Sequence, residues 1–215
     1  MSGNAIYLAT IWVIPVVIAV TFHEAAHGFV AHLLGDDTAW RLGRVSFNPA
    51  KHIDPFGTIL LPGILLLLHA PFLFGYAKPV PVNFGKLRSP RRDMVLVAAA
   101  GPVMNIALAV LAALSFHLVG YLPVTAARWL ADNLRNALIL NVVTGCVQFV
   151  PILPKAIAAR VARLEPYGLA ILIGLLIIFP MLGAQLGVNL NFLSHLIAIA
   201  AGVIIDAIIH VTGNS

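Results

Sequence analysis

Acidic side chains are scarce in this chain. Glutamate occurs twice in 215 residues, at Glu24 and Glu165, and six aspartates bring the acids to 8 against 13 lysines and arginines. Charged residues make up only 10% of the sequence and apolar residues 60%. A soluble domain is nearer a quarter charged and half apolar, so an ordinary water-soluble fold is excluded. The single cysteine, Cys146, excludes an internal disulfide. No basic stretch is interleaved with aromatics, which argues against nucleic acid; the net charge of +5 points to anionic headgroups and topology. A cleavable signal peptide is not expected, because no basic segment precedes the first apolar run. Repeats, low-complexity tracts and Ser/Gly linkers are absent too, so residues 1–215 read as one membrane-embedded domain.

What the chain has in quantity is long apolar runs. Ala5–Leu34 reads as one helix about 45 Å long, more than the ~30 Å of a bilayer core. Met94–Val119, Ala137–Leu153, Tyr167–Gly187 and Phe192–Val211 read as further spans. The expected fold is therefore an all-α polytopic membrane protein with about five to six transmembrane helices. Between the first and second clear spans lies a re-entrant or short β element. Trp40–Phe47 alternates loosely, as a short strand or hairpin would, and Thr58–Ala77 is apolar but broken by Pro62, Gly63, Pro71 and Gly75. Basic residues decide how to read Thr58–Ala77. If it spans, the two sides carry eight and five; if it re-enters, they carry eleven and two. The more polarised arrangement is preferred, with the first helix ending at the cytoplasmic face. Localisation in a prokaryotic cell membrane is expected.

That first helix carries the scarce glutamate in the sequence His23-Glu24-Ala25-Ala26-His27. Random placement would give about 0.003 H-E-x-x-H motifs in a chain of this composition. Residues four apart project from one helix face, so His23 and His27 can share a metal ion. Glu24 is then placed to handle the proton of a water that the metal activates. Burying three titratable groups in one apolar helix is costly without such a purpose. Asp206 and His210, four apart in the last apolar run, read as a local pair.

Several blocks resemble the site-2 protease family of intramembrane zinc metalloproteases, in its small prokaryotic form. They are H-E-A-A-H-G-F-V-A-H-L-L-G-D (23–36), G-R-V-S-F-N-P-A-K-H-I-D-P-F-G-T-I-L-L-P (43–62), F-G-Y-A-K-P-V-P-V-N (74–83) and A-A-G-P-V-M-N (99–105). The resemblance implies that His23 and His27 bind Zn2+, that Glu24 is the catalytic base, and that the substrate is a membrane protein cut in or near a transmembrane segment. Asn105, His52 and Asp54 are candidates to touch substrate or support the metal site. The family's third ligand is an aspartate in an L-D-G motif, shortly after a stretch seen here as V-Q-F-V-P-I-L-P (147–154). In this chain Pro154 is followed directly by K-A-I-A-A-R, with no L-D-G. A catalytic zinc normally has three protein ligands plus water, so the rival reading is a catalytically impaired pseudo-protease that binds membrane proteins. A metal or proton transporter ranks lower, because the polar groups gather at one end of the apolar helices.

Overall fold

The computed structural model describes residues 2–67, 75–149, 179–186 and 192–214. Within them the chain is helical, and no strand is found among the described residues. Helix α1 runs over Ser2–Leu33 and carries Pro15 inside it. A four-residue helix α2, Thr38–Arg41, follows a turn in which Gly35 takes φ 110°. A 3-10 turn (Pro49–His52) and a π-helical turn (Pro55–Leu60) lead into α3, Leu61–Leu67. An extended stretch returns the chain to α4, Pro90–Ser115, and α5 covers Val124–Phe149. Helices α6, Phe179–Leu186, and α7, Phe192–Thr212, complete the described chain.

Among the described residues three helical stretches are long and apolar enough to cross a membrane: Ile6–Leu33, Pro90–Tyr121 and His195–Thr212. Large apolar side chains cover the outside of α1, among them Trp12, Val13 and Val17, as a lipid-facing surface requires. The interior is built from small residues. Ala109, Ala112 and Ala113 of α4 pack on Leu138 and Val142 of α5 and on Ala201 and Ile208 of α7. Small side chains let helix backbones approach closely where lipid gives no hydrophobic drive to association.

Polar side chains set the register of α1 against α5. The Tyr7 hydroxyl donates to Asp132, Trp129 Nε1 donates to Thr10 Oγ1 at 3.0 Å, and Asn136 Nδ2 donates to the Ile11 carbonyl at 2.9 Å. These contacts also explain why α5 starts at Val124 and not at Ala137. Its first half is rich in polar residues, and Trp129, Asp132 and Asn136 among them face α1.

Trp40–Phe47 differs from the expected β element. Thr38–Arg41 forms a helical turn braced by an Arg41–Asp37 ion pair at 3.0 Å, and Gly43 at φ 62° turns the chain away. A lone alternating segment has no neighbouring strand to bond with, and local helix-and-turn geometry wins. The apolar segment after it has its two ends together. Tyr76 N donates to the Gly57 carbonyl at 3.0 Å and Lys78 N to the His52 carbonyl at 2.9 Å. Asp206 and His210 are both exposed on α7 with no ion pair between them. Lys155–Pro166 and most of Tyr167–Gly187 lie outside the described residues.

Candidate metal centre

His23 and His27 stand one turn apart near the C-terminal end of α1, and their rings meet edge to face at 82°. Their Nε2 atoms are 3.0 Å apart. Two nitrogens bound to one tetrahedral zinc at 2.0–2.1 Å would be separated by about 3.3 Å, so the pair has the bite of a metal chelate. His27 Nδ1 lies 2.6 Å from the Val97 carbonyl. A carbonyl only accepts, so the His27 proton sits on Nδ1 and the Nε2 lone pair is aimed at His23. His23 is buried, and its Nδ1 has no hydrogen-bond partner.

Helix α4 closes the site from the other side. A Cβ added at Gly101 would fall 2.5 Å from His23 Nε2 and collide with His27 Nε2. Glycine is needed there because the α4 backbone passes directly over the two imidazoles. Asn105 lies one turn further along the same face and is wholly buried. Neither its Oδ1 nor its Nδ2 is paired.

Glu24 points to a different neighbour. Its Oε2 accepts a 2.8 Å hydrogen bond from the backbone N–H of Val80. Val80 sits between Pro79 and Pro81, which have no N–H to offer, so it is the one donor in that triplet. Arg44 braces the same segment, donating from Nη2 to the Lys78 carbonyl at 2.7 Å. The segment lies tight on α1: a Cβ at Gly28 would meet Val80 Cγ1 at 2.9 Å and Val45 Cγ2 at 2.8 Å. An extended strap thus holds one oxygen of the carboxylate.

His52 and Asp54 are not part of this cluster. His52 is buried and its Nε2 donates to the Ser46 carbonyl at 2.8 Å. Asp54 caps the π-helical turn, accepting from Phe56 N at 3.0 Å and Gly57 N at 2.7 Å. Both shape the segment that leads to the strap. Arg44, Val80 and Val97 were invisible as site residues in the sequence. Two of them act through the backbone, which no side-chain pattern reports, and Arg44 reads as a topology charge.

Among the described residues no third His, Cys, Asp or Glu joins the pair to complete a metal-binding group. The register of α5 against α1 brings its C-terminal end level with this site. Tyr7 is level with Asp132 and Ile11 with Asn136, an offset of 125 residues in both cases. Carried along α1 to His23, that offset reaches Gln148. Gly145 agrees, since a Cβ added there would lie 3.6 Å from the carbonyl of Pro102, next to Gly101. Beside the site an apolar cavity of about 570 Å³ opens between α1, α4 and residues 40–47, lined by Ala25, Phe29, Trp40, Phe47, Val103 and Met104 among others.

The chain is 35% identical over 195 positions to the "Putative zinc metalloprotease YwhC" of Bacillus subtilis, covering 80% of this chain and 85% of that protein. It is 28% identical over 202 positions to the "Putative zinc metalloprotease Rip2" of Mycobacterium tuberculosis strain H37Rv, covering 87% and 76%. No solved structure matches. Peptidase family M50 matches residues 11–212, and the chain belongs to that family, the site-2 proteases.

Proposed function

We propose that this chain is an intramembrane zinc metalloprotease that hydrolyses peptide bonds in or near transmembrane segments of membrane proteins. The observation that carries the reading is the convergence of the His23 and His27 Nε2 atoms, 3.0 Å apart, on a helix long and apolar enough to span a bilayer. The names of the two relatives support zinc as the metal.

When bound, zinc supplies Lewis acidity, polarising the scissile carbonyl and acidifying a water. The rest falls to the chain's own groups. His23 and His27 present their Nε2 lone pairs. Val80 N–H fixes Oε2 of Glu24, which leaves the other carboxylate oxygen to take the proton of the attacking water and pass it to the leaving amine. The Gly101 backbone excludes side chains from the space over the two rings. The apolar cavity beside them suits an unwound, apolar peptide drawn from the bilayer. The basic residues of 35–93 support a cytoplasmic location for this end of α1.

A specific observation favours the second reading, a pseudo-protease that binds membrane proteins without cutting them. The sequence lacks an L-D-G after Pro154. Matching 80% of 215 residues accounts for roughly 172 of the 195 positions aligned with YwhC, so that relative carries residues this chain does not. The test is cleavage of a single-span membrane protein in detergent or vesicles by the wild-type chain and Glu24→Gln. Cleavage by the wild type alone supports the protease. Zinc-dependent binding of the same substrate with no cleavage by either supports the pseudo-protease.

A further inference from the structure

The polar atoms buried without partners are unevenly placed. Asn133 and Asn141 each leave one oxygen unpaired, but each also donates its amide to a carbonyl one turn back, at 2.9 and 2.8 Å. Among the buried asparagines of the described residues, Asn105 alone leaves both amide atoms unpaired, in a position with no solvent exposure. Leaving a buried polar group unpaired costs on the order of 1–3 kcal/mol. His23 Nδ1 is unpaired as well, as are His52 Nδ1 and Arg44 Nε on the segment that follows α2. His23 and Asn105 belong to one neighbourhood: Gly101 presses on the His23 ring, and Asn105 follows Gly101 by one turn on the same face of α4.

The two histidines therefore differ in what holds them. His27 has its Nδ1 proton fixed by the Val97 carbonyl, a partner that can only accept. His23 has no such partner. Without metal, its Nε2 is the only available donor toward the His27 Nε2 lone pair 3.0 Å away, which leaves Nδ1 as a lone pair. To offer Nε2 to a metal, the proton must move to Nδ1, and Nδ1–H then needs an acceptor. An amide is suited to both states, because one end donates and the other accepts. We propose that Asn105 is the positioning residue for His23, pairing with Nδ1 through its Nδ2 in the metal-free state and through its Oδ1 when Nε2 binds metal. Rotation of the amide exchanges its donor and acceptor ends, and neither end is engaged elsewhere. The inference rests on the zinc reading for its second half only.

The experiment uses the full chain in detergent with three forms, wild type, Asn105→Leu and Asn105→Asp. The first readout is the histidine tautomer from ring 15N shifts in metal-free protein, with His27 as internal control. The second is zinc affinity by chelator competition. Leucine keeps the volume and removes both hydrogen bonds. It should broaden or shift the His23 ring signals, leave those of His27 in place, and weaken zinc binding about 10- to 100-fold. Aspartate can only accept, so it should move the metal-free His23 proton to Nδ1 and hold zinc affinity within about threefold of wild type. Unchanged His23 signals in both variants overturn the proposal, whatever zinc does. If the leucine variant fails to fold, the aspartate variant decides alone: a His23 tautomer identical to wild type refutes the pairing. If the wild type binds no zinc, the zinc reading fails, while the metal-free tautomers still test Asn105.

Discussion

The two halves of α1 solve the same problem in opposite ways. Both carry polar side chains into an apolar bundle. In the N-terminal half the groups are matched: Tyr7 with Asp132, Thr10 with Trp129, the Ile11 carbonyl with Asn136. About 24 Å along the helix they are not. His23 Nδ1 and both ends of Asn105 lack partners, and the two imidazole Nε2 atoms face each other. Buried polar groups that serve only structure are paired, because nothing else offsets their desolvation. The matched half holds α1 and α5 in register, and the unmatched half is arranged around something more than the bundle itself.

The largest effect that would sharpen this contrast lies in the unmatched half. Glu24→Gln keeps the shape and the bond from Val80 but loses the base, so peptidase activity should fall on the order of a thousandfold. Zinc content and thermal stability should stay as they were, measured by elemental analysis and unfolding in detergent. A smaller effect is expected at Arg44. Arg44→Ala frees the strap at Lys78, so turnover should drop roughly tenfold with KM and zinc content nearly unchanged, and Arg44→Lys should recover part of it. In the matched half the roles reverse. Asp132→Leu or Asn136→Leu should cost about 1–3 kcal/mol of stability by stranding a partner, and should leave zinc affinity alone. Loss of zinc in those variants would break the comparison.

The smallest effect concerns the loop that ties the end of α1 to the strap. Asp36 has no solvent exposure and accepts from Thr38 N at 3.0 Å, Thr38 Oγ1 at 2.5 Å and Asn83 N at 2.6 Å. Burial works against its charged form, but those donors and the charge of Lys86 outweigh it and hold the carboxyl below its ordinary value of 3.8. A folded-state value depressed in this way contributes stability that is present above about pH 4. That stability is lost as pH falls through the folded value. The Tm should therefore decline below pH 4, and Asp36→Asn should flatten that acid limb while lowering Tm at neutral pH.

The sequence displayed the long helices because lipid-facing segments need apolar residues all round, and it displayed the H-E-x-x-H because its glutamate is one of two in the chain and its histidines are two of eight. It hid the first half of α5, whose polar residues Asp132 and Asn136 find their partners only when α1 is set beside them. It suggested a strand at Trp40–Phe47, where a helical turn and Gly43 prevail. The strap on Glu24 was illegible for a simpler reason. Val80 acts through its backbone N–H, and the pairing spans 56 residues.

The central claim is that His23 and His27 together form a metal site. It is tested most directly by the zinc stoichiometry of the purified full chain against His23→Ala and His27→Ala, with all three checked for folding. The account predicts zinc approaching one per wild-type chain and close to none in either variant. Equal zinc in all three, or none in a folded wild type supplied with the metal, would contradict it.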